Sequence, residues 1–71
     1  MKDKINPSHY KKGKIEVIDF IDSVLAKDFD AYCIGNVIKY CSRWKDKDGI
    51  IDLQKGAWYL NRLINKIKTE I

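Results

Sequence analysis

"GNVIKYCSRWKDKDGIIDLQKGAWYL", residues 35–60, sets apolar residues at helical spacing on both sides of a charged, glycine-containing turn. At 100° per residue, Ile34, Val37, Ile38, Cys41 and Trp44 fall on one side of a helix predicted over 31–46. Asn36, Lys39, Arg43 and, if the helix extends that far, Lys47 gather on the other, with Tyr40 on the border. "KDKDG" then makes the turn, where Gly49 is free to take a positive φ and Asp48 can start or cap the next helix. That helix is predicted over 51–69. Its residues Leu53, Ala57, Leu60, Ile64, Ile67 and Ile71 recur at steps of four and three, the seam of closely packed helices. Gly56 borders that seam and would let a neighbour approach closely, at a cost of ~1 kcal/mol in helix propensity relative to alanine.

Upstream, Ile15, Ile18, Ile21 and Leu25 define a helix over 15–26, widened by Val17, Phe20 and Val24 into a broad apolar arc. Asp30 is placed to cap the second helix. Pro7 and "KKG" mark residues 1–14 as a turn or extended arm. The expected fold class is therefore all-α: one small three-helix domain over residues 1–71 with an extended N-terminal arm. Trp58 and Ile51 project almost opposite the seam, where a monomer would expose them, and the first helix has more apolar surface than one neighbour can cover. Both point to a homo-oligomer.

Seventy-one residues bury a small fraction of their surface, which is a second reason to expect self-association. With 45% hydrophobic and 34% charged residues the chain has material for a core, and its net charge of +4 favours anionic partners. No apolar run approaches the ~18 residues of a membrane span and the start lacks an apolar export region, so a cytoplasmic chain is expected. Cys33 and Cys41 lie eight apart on one helix, about 12 Å between Cα atoms, beyond disulfide reach; they are expected reduced and buried.

Several chemistries are excluded or disfavoured. There is no GxxxxGK[ST] phosphate loop, no CxxC spacing, and a single histidine, His9, which leaves a nucleophilic triad without a base. Glu16, Asp19 and Asp22 stand three apart along one helix and Asp52 opens another, but carboxylates on exposed faces read more readily as solvated charges than as a metal site. No metal or cofactor is called for. The basic and aromatic set is more informative. Lys39 and Arg43 stand one turn apart, as do Lys55 and Tyr59, so that each pair can serve one ligand. Surface ion pairs involving Asp52, Lys55 and Arg43 are the competing reading.

"NPSHY", "IEVIDFI" and "GNVIKYCSRWKDKDGIIDLQKGAWYLNRLI" together resemble the phage-encoded domain of unknown function 3310 family, sometimes described as nucleotide kinase-like. The likeness runs from Asn6 to about Ile64. The matching positions are Asn6, Pro7, His9, Tyr10, Glu16, Gly35, Asn36, Lys39, Tyr40, Arg43, Lys47, Asp52, Lys55 and Tyr59; Gly56 stands where the family usually has alanine. The resemblance implies a phage protein working in the host cytoplasm and a connection to nucleotides. The second half is also similar to helical nucleotide pyrophosphohydrolases, without their full acidic metal cluster.

Together these readings predict a nucleotide or related phosphorylated small molecule as ligand. Lys39, Arg43 and Lys55 would hold phosphate, His9, Tyr10 and Tyr40 the base or sugar, Asn36 would orient it, and Tyr59 would complete the ligand-binding set. Glu16 and Asp52 would support the cations. Two other classes compete: a nucleic-acid-binding helical module using the same cations, and an interaction protein that docks on a host enzyme through Trp58 and the first helix.

Overall fold

The structure is a computed structural model that describes residues 11–12 and 15–70. Its helical backbone comes in two runs. The first contains α1 (Val17–Leu25), a 3₁₀ turn over Ala26–Asp28, α2 (Phe29–Arg43) and a second 3₁₀ turn over Trp44–Asp46; the second run is α3 (Ile50–Glu70). Two strands of two residues each, β1 (Lys11–Lys12) and β2 (Ile15–Glu16), pair antiparallel, Lys11 opposite Glu16 and Lys12 opposite Ile15. That pairing delays the start of the first helix from the expected Ile15 to Val17, because Glu16 is extended at φ −74°, ψ 147°. No helix among the described residues is long and apolar enough to cross a membrane.

The break between α1 and α2 is abrupt. Ala26 takes φ 51°, ψ −118°, a conformation strained for a residue with a Cβ, and its N–H donates to the Asp22 carbonyl. Asp30 does not cap α2: it lies inside the first turn, and Asp28 holds the cap position without a side-chain hydrogen bond. At the other turn Gly49 has φ 59°, donates its N–H to Trp44 O at 2.9 Å, and offers its own carbonyl to the N–H groups of Asp52 and Leu53. A left-handed residue here reverses the chain and starts α3 in one step.

α2 and α3 form an antiparallel pair, since Arg43 at the end of α2 meets Asp52 at the start of α3 while Phe29 meets Lys66 at the far end. The core between them is aromatic. Ile18, Phe29, Cys33, Tyr40, Tyr59 and Leu63 are buried, with Ile21, Leu25, Tyr32, Val37 and Trp58 packed around them. Tyr59 is the hub: it stacks on Tyr40 at 6.0 Å between centroids and meets Tyr32 and Trp58 edge-on at 5.9 and 5.1 Å. Its hydroxyl is pushed well above the ordinary tyrosine range by burial first and by Tyr32 second.

Three expectations are corrected by this packing. α3 turns Asp52, Gly56, Tyr59 and Leu63 inward, whereas Leu53, Leu60, Ile64 and Ile67 of the expected seam face outward. On α2 the inward residues are Phe29, Cys33 and Tyr40, leaving Ile34, Ile38 and Cys41 exposed. Trp58, in turn, is half-buried against the core rather than projecting free. The reason lies in ring stacking and close approach: a Cβ on Gly56 would sit 3.3 Å from Cys41 Sγ and 3.7 Å from Tyr40 Cβ, so the helices meet on the glycine side.

Gly56→Ala is expected to raise stability by up to ~1 kcal/mol. The gain in helix propensity is retained because the tight neighbour is the end of an exposed, rotatable thiol. Urea denaturation of the two proteins measures it; a fall in the midpoint would mean that Cys41 cannot move aside.

Candidate functional site

Three cations from two helices gather around one ring. Lys39 Nζ lies 4.5 Å from the Tyr40 centroid, the Arg43 guanidinium carbon 4.8 Å, and Lys55 Nζ 5.5 Å. Lys39 and Arg43 come from successive turns of α2, and Lys55 is carried in from α3 by the Tyr40–Tyr59 stack. The negative face of the ring draws the three positive groups together despite their mutual repulsion.

Arg43 is fixed by a bidentate pair. Its Nε donates to Asp52 Oδ2 at 3.2 Å and its Nη2 to Oδ1 at 3.1 Å; the Asp48 N–H donates to the same Oδ2 at 3.1 Å. Asp52 has no solvent exposure, while a third of the Arg43 side chain remains accessible. The hydrogen bond from Arg43, helped by the Asp48 N–H, holds the Asp52 carboxyl below its ordinary range, and the same bond raises Arg43. Because Asp52 is the third residue of α3, its reach back to Asp48 also ties the turn to the helix start, in the manner of a capping box. Lys39 and Lys55 make no ion pair with a carboxylate among the described residues.

The remaining expected site residues are scattered. His9 and Tyr10 lie outside the described residues. Tyr40 and Tyr59 are buried in the core, with one side of Tyr40 against Tyr59, so neither presents an open stacking platform. Asn36 is half-buried and its Nδ2 donates to the Tyr32 carbonyl one turn back, at 2.9 Å. Glu16 is the residue before α1. The structure thus brings Lys39, Tyr40, Arg43, Asp52, Lys55 and Tyr59 into one contiguous cluster.

A second polar group escaped sequence reasoning. Arg62 Nη2 lies 2.8 Å from Asp19 Oδ1 and 3.3 Å from Asp22 Oδ2, and Lys66 Nζ donates to Asp22 Oδ1 at 3.0 Å and to the Ala26 carbonyl at 3.1 Å. Both cations also lie over the Phe29 ring, at 5.7 and 4.8 Å. They border an open cleft of about 290 Å³ lined by Asp22, Arg62, Asn65, Lys66 and Thr69. With each cation matched to a carboxylate, this group clamps α1 onto α3. A local signal exists: Asp19 and Asp22 three apart, and Arg62 and Lys66 four apart, are complementary helical spacings.

Cys33 is buried, which raises its thiol, and Cys41 is exposed, contrary to the expectation that both would be enclosed; both are free thiols. Among the described residues no group of histidine, cysteine, aspartate and glutamate is arranged to hold a metal.

No significant match is found among curated proteins or among solved structures. A family model does match, over residues 4–61, which covers α2, the start of α3 and every residue of the cationic cluster, its Arg43–Asp52 pair included. The chain belongs to the family described as protein of unknown function (DUF3310).

Proposed function

We propose that the chain binds a phosphorylated small molecule, a nucleotide in the first instance, at the face where Lys39, Arg43 and Lys55 meet over Tyr40. The observation that carries this reading is the convergence of three cations on one ring, two of them without a carboxylate partner among the described residues. Gathering three like charges around one ring is unfavourable unless an anion or the ring face compensates, and a phosphate compensates more fully than Tyr40 alone. Arg43, preset by Asp52, contributes a fixed field; Lys39 and Lys55, on flexible stems, close on the phosphate oxygens. The carboxylate that touches the cluster, Asp52, is committed to Arg43 and the Asp48 N–H, so the arrangement favours binding over phosphoryl transfer.

Titration calorimetry with inorganic triphosphate and with mono-, di- and triphosphate nucleotides tests it. The wild-type chain is expected to bind saturably, and Lys39→Glu or Lys55→Glu to lose at least about tenfold in affinity with an unchanged melting temperature. No saturable binding to any of these probes would overturn the proposal. So would binding that both variants retain, or binding only to polynucleotides with a steep salt dependence.

A further inference from the structure

The seam read from the sequence is present as a stripe, but nothing among the described residues covers it. Ile50, Leu53, Leu60, Ile64 and Ile67 are each between 37% and 68% exposed, with Ala57 exposed among them. Ile50 extends the heptad backwards by one position, so the stripe runs at steps of three and four from 50 to 67, about 26 Å at ~1.5 Å per residue. On α2, Ile34, Ile38 and Cys41 lie within about 60° of one another and are likewise exposed. The two stripes are neighbours, because Cys41 at the edge of one stands beside Gly56 at the edge of the other, its Sγ 3.3 Å from where a Cβ would be. One side of the α2–α3 pair therefore carries two adjoining exposed apolar stripes, the kind of surface that marks an interaction site.

We infer that this face docks a second copy of the chain, so that α2 and α3 of two protomers form a four-helix bundle around a two-fold axis. Three features select a second copy over another occupant. A heptad stripe packs knobs into holes only against a helix of the same period, and the chain's own stripe has that period. Run antiparallel on itself, the stripe is self-complementary: Ile50 meets Ile67, Leu53 meets Ile64, and the small Ala57 meets Leu60, each pair formed twice, as a two-fold interface requires. Charge agrees as well. The chain carries +4, yet Lys39, Arg43 and Lys55 lie on the opposite flank of the pair around Tyr40, and the stripe's open side is bordered by the uncharged Gln54 and Asn61, with Lys68 at its C-terminal end. Two copies joined through this face keep their cationic clusters apart. The location also differs from that expected from the sequence, since Trp58 is engaged within its own protomer.

Size-exclusion chromatography with light scattering, run from about 1 to several hundred µM, tests the inference. The wild-type chain is expected to show twice its 8.3 kDa mass at the upper end. Leu60→Glu and Ile64→Glu should each give a monomer that keeps its helical circular dichroism, because both side chains already face outward. Phe20→Glu, on the exposed side of α1, should leave the dimer intact. A wild-type monomer throughout the range would overturn the inference, meaning that the face serves a different protein or none. A dimer that survives both α3 variants, or is lost with Phe20→Glu alone, would overturn it equally.

Discussion

Phe29→Ala is expected to lower the melting temperature by on the order of 20 °C. Phe29 opens α2 with no solvent exposure, stacked against Tyr32 at 5.8 Å and with the Lys66 and Arg62 cations over its ring. Truncating a buried phenylalanine costs ~3–5 kcal/mol through lost transfer energy and the cavity left behind. A chain of this size has a total stability of only roughly 4–10 kcal/mol, and each kcal/mol moves its melting temperature by ~4–8 °C. The site resists collapse because the abrupt break at Ala26 and the clamp from Lys66 to Asp22 and Ala26 fix its walls. Thermal denaturation monitored by circular dichroism gives the number, and Phe29→Leu, which keeps much of the volume, should recover more than half of the loss. An alanine variant that melts within a few degrees of wild type would mean that Phe29 is not the keystone of the α1–α2–α3 junction.

The helices are readable from periodicity, but their orientation is not, and α3 shows why. It carries two candidate inner faces: the regular stripe through Leu53, Leu60, Ile64 and Ile67, and a mixed one through Asp52, Gly56, Tyr59 and Leu63. Hydropathy ranks the first above the second. Packing chose the second, since Gly56 fits closely beside Cys41 and Tyr40, Tyr59 finds three aromatic partners, and Asp52 finds Arg43. None of these gains is visible to a scale that scores residues singly. At the candidate site, spacing alone places Lys39 and Arg43 on one face, and it leaves an ion pair between Arg43 and an acid open as the competing role. That Asp52 is the partner, and fully buried, depends on α3 crossing α2 at the Gly49 turn, a tertiary fact. Arg62 and Lys66 are hidden for a different reason: the carboxylates they answer, Asp19 and Asp22, lie some forty residues away, and periodicity within one helix says nothing about its partner.

Asp52→Ala is expected to separate stability from anion binding. Removing the carboxylate leaves the Asp48 N–H without its acceptor and Arg43 without its anchor, so the turn into α3 and the adjoining end of the α2–α3 pair loosen together. The melting temperature should fall on the order of 10 °C at neutral pH. The pH dependence identifies the cause. Because the folded-state pKa of Asp52 lies below its ordinary value of 3.8, its contribution is fully present above that value and is lost as pH falls through the depressed one. The gap between wild type and variant, measured by urea midpoints from pH 2 to 7, should be constant from neutrality down to about pH 5 and then close in acid. A gap that stays constant to pH 2 would assign the loss to packing rather than charge. Binding should move the opposite way: with Asp52 gone, the guanidinium of Arg43 is no longer neutralised, and the folded fraction of the variant should hold inorganic triphosphate more tightly than wild type does. Arg43→Ala removes the cation instead and strands a buried carboxylate, so it should lose both stability and affinity. Opposite effects on binding from two variants that break the same ion pair would mark the cluster as an anion site; parallel losses in both would reduce Arg43 and Asp52 to a structural pair.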